Sequence, residues 1–292
     1  MKAIYLFILM TVAVAAYGQE AGKYEHKGQS HLIGVFDPDI LRSDPAFSEW
    51  FMASYHEVEF PKNSAKWKKD LKTVKVEIYM GTWCGDSRYL VPKFIKLWEE
   101  LGLKKDQLQF VALYGGGEHY KQSPEGQEIG KHIHRVPTFI FTQNDQEIAR
   151  IVENPVTDLY TDIAQIALGY PAAPQYEAAN YLYEQLELYG AESLESEFSQ
   201  HLNQVGRKAQ RSYELNTLGY VLMAADKLEE ARLIFKMNTA LFKYEPNVYD
   251  SYAECLARMG QSEQAVNQYQ KVLDLDPDNE NAKKMLEKIA NR

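Results

Sequence analysis

The sequence predicts an α/β domain followed by an all-α domain, and three observations carry that expectation. Between 61 and 171, apolar runs of strand formers alternate with segments of helical periodicity. After Pro174 the strand signals stop and the remaining text is helical. Within that helical part, Ala231-x-x-x-Phe235 and Ala265-x-x-x-Tyr269 repeat at a spacing of 34 residues, a period typical of stacked helix pairs.

The elements follow in chain order. Met1 and Lys2 precede the apolar run AIYLFILMTVAVAA and the small residues around Ala16 and Gly18. That is the pattern of a secretory signal, expected over 1–18, and the run is short for a membrane span. Residues 19–60 read as an N-terminal extension with a short helix at Trp50–Tyr55. The α/β domain is expected over 61–171. Ser64–Leu71 reads as a helix, Val74–Met80 as a strand, and Cys84–Leu101 as a helix with an apolar stripe at Val91, Phe94, Ile95, Trp98 and Leu101. Leu108–Tyr114 is a second strand, and Ser123-Pro124 is expected to open a short helix. Thr138–Thr142 and Glu147–Val152 form an antiparallel pair around a Gln-Asn-Asp turn. Thr157 is expected to cap a helix running to Leu168. Residues 172–211 read as a helical connector and 212–292 as the repeats.

Composition narrows the function. A formal charge of −9 argues against nucleic acid and anionic membrane surfaces as partners. No apolar run after the signal is long enough to span a bilayer, so an exported protein is expected, periplasmic in a cell with two membranes. The run Gly115-Gly116-Gly117 lacks the Lys-Ser/Thr of a phosphate loop, and nothing else calls for a cofactor. His119, His132 and His134 read as exposed loop histidines rather than metal ligands, so no metal site is expected. The chain has two cysteines, Cys84 and Cys255. They fall in different domains, and Cys255 takes the place of a small buried residue in the second repeat. Arg150 and Glu153 read as surface charges.

Cys84 is the residue that points to chemistry. It lies in Trp83-Cys84-Gly85-Asp86-Ser87, where a strand gives way to a helix, and Pro92 follows eight residues on. Val136-Pro137-Thr138 opens the strand before the hairpin. With the element order, these residues resemble the thioredoxin superfamily over about 62–170. The resemblance implies a thioredoxin-like fold, a cis proline at Pro137 facing Cys84, and an extended protein or peptide substrate held by Trp83, Gly85, Asp86, Val136, Pro137 and Thr138. The chain departs from that pattern twice: Ser87 stands where a second cysteine would resolve a disulfide, and Ile78 stands where the family carries a buried acid. Glu77 projects to the opposite face of its strand. The helical repeats resemble tetratricopeptide repeats through Leu215-x-x-Leu218-Gly219-x-x-Leu222, Tyr249-x-x-Tyr252-Ala253-x-x-Leu256, Gly260 and Pro277, which implies a groove for a protein partner.

At a helix start, a thiolate meets free N–H groups and the positive end of the helix dipole. Ser87, one turn on, is placed to donate to it, and Arg88 to add positive charge; Asp86 opposes it. A single sulfur can form a mixed disulfide that only a second substrate thiol or an external thiol can release. Two readings stand at this point: a monothiol exchange or isomerisation site built from Cys84, Ser87 and Arg88, or a silent thiol on a retained fold that serves as a protein-interaction scaffold.

Overall fold

A computed structural model describes residues 22–61 and 66–291. The expected signal segment lies outside the described residues. Among the described residues, no helix is long and apolar enough to cross a membrane.

The first half is a mixed six-stranded sheet with helices. Strand β1 (Gly22–His26) and β2 (Gln29–Phe36) form a hairpin; β3 is Lys75–Met80, β4 Leu108–Ala112, β5 Thr138–Gln143 and β6 Gln146–Val152. Their order across the sheet is β1-β2-β4-β3-β5-β6. Among the described strands only the β3–β4 pair is parallel, joined by the crossover helix α3 (Gly85–Glu100). The stretch read as an extension therefore supplies two strands. Lys27 and Gly28 both adopt positive φ at the hairpin tip, the geometry that matches the twist of the flanking strands.

Alternation sorts β3 onto two faces. Val76, Ile78 and Met80 point to one side, where they meet Phe110, Phe139 and Phe141 and the helices α1 (Asp39–Ser43), α2 (Pro45–Glu57), α3 and α4 (Leu159–Ala167). Phe94 of α3 packs on Phe139 with ring centroids 4.6 Å apart. Tyr79 points to the other side and joins a smaller core of Val111, Leu113, Ile133, Val136 and Ile140. Glu77 shares that second face, where it accepts from Tyr79 Oη at 2.8 Å and Lys131 Nζ at 2.8 Å.

Three local expectations need correction. The segment before β3 is a 3-10 helix, Lys66–Leu71, and the start expected at Ser64 lies outside the described residues. Ser123-Pro124 opens a turn, because left-handed Gly126 and Gly130 stop a helix from propagating and Glu128 folds back onto Ser123. Asp158, not Thr157, caps α4: its carboxylate accepts from Thr161 N at 2.9 Å, while the Thr157 N–H is taken by Asp162.

The second half is all helix: α5 (Glu177–Ser196, broken at Gly190), α6 (Phe198–Lys208), α7 (Ser212–Ala224), α8 (Leu228–Leu241), α9 (Pro246–Arg258), α10 (Ser262–Leu275) and α11 (Glu280–Ala290). The 34-residue period is visible in the backbone. Asp226 and Gly260, one period apart, both take left-handed φ at the turn between paired helices. Ala231 and Ala265 are fully buried, and Phe235 and Tyr269 fill the same layer of the core. Helices α5 and α6 bury Ala178, Ala179, Leu182, Leu194 and Val205 in that core, so they belong to the stack.

Candidate functional site: a single thiol beside the loop before β5

Cys84 is the N-cap of α3, with extended φ and ψ. The chain reaches it through a tightly held turn. Cys84 N donates to Gly81 O at 2.9 Å. Thr82 is buried, and its Oγ1 accepts from Leu32 N at 3.1 Å and lies 3.2 Å from His31 Nδ1. The edge hairpin thus anchors the residues just ahead of the thiol. Trp83 lies over two glycines: a Cβ on Gly81 would sit 2.4 Å from its ring and one on Gly115 2.8 Å. Its Nε1 donates to Leu113 O at 2.8 Å. The glycine run is therefore a seat for Trp83, not a free loop, and Gly115 N is itself held by Tyr24 Oη at 2.7 Å.

The structure brings Cys84 and the Val136-Pro137-Thr138 segment together. Cys84 Sγ donates to Val136 O at 3.3 Å and lies 4.0 Å from Asp86 Oδ2. The Val136–Pro137 peptide bond is cis. Pro137 O accepts from Glu153 N at 2.7 Å, and Thr138 Oγ1 donates to Arg135 O at 2.8 Å. Gly85, next to Cys84, has open space where a Cβ would stand.

The two residues expected to tune the sulfur point elsewhere. Ser87 is fully buried, and its Oγ accepts from Gly81 N at 3.2 Å, so it ties the turn to the helix. Arg88 Nε donates to Thr82 O at 2.5 Å, and its guanidinium lies over Trp50. Both side chains sit one turn along α3, and each is engaged by a backbone group of residues 81–82. Both cysteines are free. Cys255 is buried on α9, and burial pushes its thiol up to about 12, so it is the packed core thiol that the repeat spacing implies.

Residues that the sequence did not place near the thiol complete the surroundings. Lys121 is buried at 4% exposure, and its Nζ donates to His134 O at 2.5 Å. Burial above all, and then the Arg135 charge, lower its ammonium to about 7, while the Cys84 sulfur and Glu153 act in the opposite direction. The sulfur also acts on Tyr120, whose phenol is raised mainly by burial. Glu153 is half-buried and pairs with Arg135 at 3.3 Å; burial and then the Asp86 charge raise its carboxyl, against Arg135. Arg150 is likewise mostly covered and donates to Lys131 O at 3.0 Å and to Glu147. Neither is a plain surface charge.

The histidines are not a loose loop cluster. His134 is buried with its ring against Tyr176 and Tyr183, and burial lowers it to about 3, so it is neutral. His132 stacks on Tyr183 and lies 3.0 Å from Glu187. Among the described residues, no group of three or more His, Cys, Asp or Glu side chains is placed to hold a metal ion. Instead this segment is the seam between the halves. Arg135 stacks on Tyr176 and Tyr213 and donates to Tyr213 O at 2.9 Å, and Gln122 donates to Ala224 O at 2.8 Å.

No protein-family model matches the chain, and no curated protein matches it either. The functional reading accordingly rests on the residues themselves.

Proposed function

We propose that the protein is an exported, thioredoxin-like monothiol that exchanges or isomerises disulfides in polypeptide substrates, with tetratricopeptide-like helices beside its site. The observation that carries the reading is the half-buried Cys84 sulfur at the start of α3, 3.3 Å from the carbonyl of the cis-proline loop. The N-terminal sequence pattern supports export.

In this reading the Cys84 thiolate attacks one sulfur of a substrate disulfide. A Cys84–substrate S–S bond forms, the substrate S–S bond breaks, and the leaving sulfur departs as a thiolate that takes up a proton. Ser87 has no sulfur with which to resolve the product. A second substrate thiol attacks the mixed disulfide and regenerates Cys84, and the substrate leaves with rearranged bonds and no net change of oxidation. An external thiol that attacks in its place also frees Cys84, and the substrate then leaves with one free thiol and one mixed disulfide to the external thiol.

Trp83 and Cys84 both pack against the small core of Tyr79 and Val136, and Asp86 Oδ2 lies 4.0 Å from the sulfur. Ser87 and Arg88 act at one remove, by holding the 81–84 turn. The test is capture. Cys84 should retain disulfide-linked polypeptides after acid quenching, and Cys84→Ala should retain none. A partner set unchanged by that substitution would mean a silent thiol on an interaction scaffold.

A further inference from the structure

Helix α7 is tied to the sheet half near both of its ends. At its start, Tyr213 O accepts from Arg135, the residue before Val136; at its end, Ala224 O accepts from Gln122. Between these two moorings a cleft of about 500 Å³ opens. One wall is the 115–120 loop, including Tyr120. The opposite wall is Asn216, Thr217 and Tyr220 of α7, with Glu254 and Arg258 of α9. The two hydrogen bonds and the Arg135–Tyr213 stack tie α7 to the sheet half at either end of the cleft.

Two features connect the cleft with the thiol. Tyr120 belongs to both: its ring is 6.3 Å from that of Trp83, the Cys84 sulfur acts on its phenol, and it lines the cleft. Arg135, which anchors the start of α7, directly precedes Val136, whose carbonyl faces Cys84. A chain that crosses the sulfur along Val136 therefore runs on past Tyr120 toward α7.

The chemistry of the walls suits a polypeptide. Asn216 carries a buried Oδ1 with no partner, an acceptor that suits a backbone N–H. Tyr120 and Tyr220 offer aromatic faces for an apolar side chain. Glu254 is engaged by Tyr220 Oη at 2.8 Å and Arg258 pairs with Asp226 at 3.5 Å, so neither stands as a lone charge; Glu118 of the loop wall also lines the cleft.

We propose that this cleft binds an extended segment of the same polypeptide whose cysteine reacts at Cys84, by backbone pairing to Asn216 and an apolar or aromatic side chain against Tyr120 and Tyr220. The proposal rests on the thiol-exchange reading for its substrate, and the test separates the two.

Binding is measured first in the Cys84→Ala protein, where no exchange can occur, with a fluorescently labelled, fully carboxymethylated unfolded polypeptide as probe. Thr217→Trp, which fills the cleft, should weaken binding at least tenfold, and Asn216→Ala should do so severalfold with little change in packing. No measurable binding, or a change under twofold in both variants, overturns the cleft.

The rate with a disulfide-bonded polypeptide is then divided by the rate with a small aromatic disulfide, in protein that retains Cys84. That ratio should fall at least tenfold in Thr217→Trp; an unchanged ratio means that substrate does not use the cleft. Failure of Cys84 to react with the small disulfide overturns the thiol reading and leaves the binding result standing. If Thr217→Trp does not fold, Asn216→Ala decides both measurements.

Discussion

The Cys84 sulfur and the Val136 carbonyl oxygen lie 3.3 Å apart across 52 residues of chain. The contact joins the helix that carries the thiol to the loop that opens β5, and among the described residues it is the sulfur's one backbone acceptor. It is also a weak bond, made by a thiol donor at a half-buried place. Cys84→Ala should therefore lower stability by no more than about 1 kcal/mol. Chemical denaturation of the two proteins checks this, and a larger loss would disqualify that variant as the control in the capture experiment.

Ser87→Cys should cost stability while adding chemistry. The buried Ser87 Oγ is the acceptor for Gly81 N, and sulfur replaces it poorly, so a loss of about 1–3 kcal/mol is expected. The new thiol stands one helical turn from Cys84, and turnover in an insulin-reduction assay should rise above that of the parent protein. An inactive but folded variant would indicate that the buried side chain cannot reach the sulfur.

Gly115→Ala should disturb the thiol without touching it. The added Cβ would meet the Trp83 ring at 2.8 Å, inside any tolerated contact, so the indole must move off Leu113 O. Overpacking of this kind costs about 1–3 kcal/mol. A shifted Trp fluorescence spectrum and an altered alkylation rate of Cys84 are expected together; a change in neither would show that the loop yields instead of the indole.

Burial of Lys121 predicts a pH signature. Its ammonium is lowered from 10.5 to about 7 in the folded chain. Below about pH 7 both folded and unfolded states carry the proton, and the folded state bears the whole cost of burying the charge. Between about 7 and 10.5 the unfolded state holds a proton that the folded state has released, so this contribution to stability climbs with pH. Lys121→Met should therefore raise Tm more at pH 6 than at pH 9. Equal gains at the two values would mean that the amine is solvated.

Gly219→Ala tests the first repeat. A Cβ there would sit 2.5 Å from the Phe235 ring, where the second repeat pairs Ala253 with Tyr269. The substitution should destabilise the helical half by about 1–3 kcal/mol, and Phe235→Leu in the same chain should recover part of that loss. Helix unfolding followed by circular dichroism gives both values.

Much of the fold was legible because it rests on periodicity. The stripe Val91, Phe94, Ile95 and Trp98 is the buried face of α3, and the 34-residue spacing marks two helix pairs in register. The N-terminal hairpin was missed, although Lys27-Gly28 between two short alternating runs is a turn signal.

The nearness of Cys84 to Val136-Pro137-Thr138 was legible from their motif. The directions of Ser87 and Arg88 were not, because they depend on which backbone groups of the preceding turn lack partners. Lys121 and His134 were illegible for a different reason. A lysine and a histidine in loop text read as exposed, and only the close approach of Tyr176 and Tyr183 explains the burial of His134.

The two moorings of α7 also set a length scale. From Tyr213 to Ala224 a helix advances roughly 16 Å, which an extended chain covers in about five residues. The helix is thus a ruler for whatever lies along it. One extra turn inserted between the moorings would lengthen that measure by about 5.4 Å and pull one hydrogen bond out of register. Repeats added after α11 would leave the measure as it is.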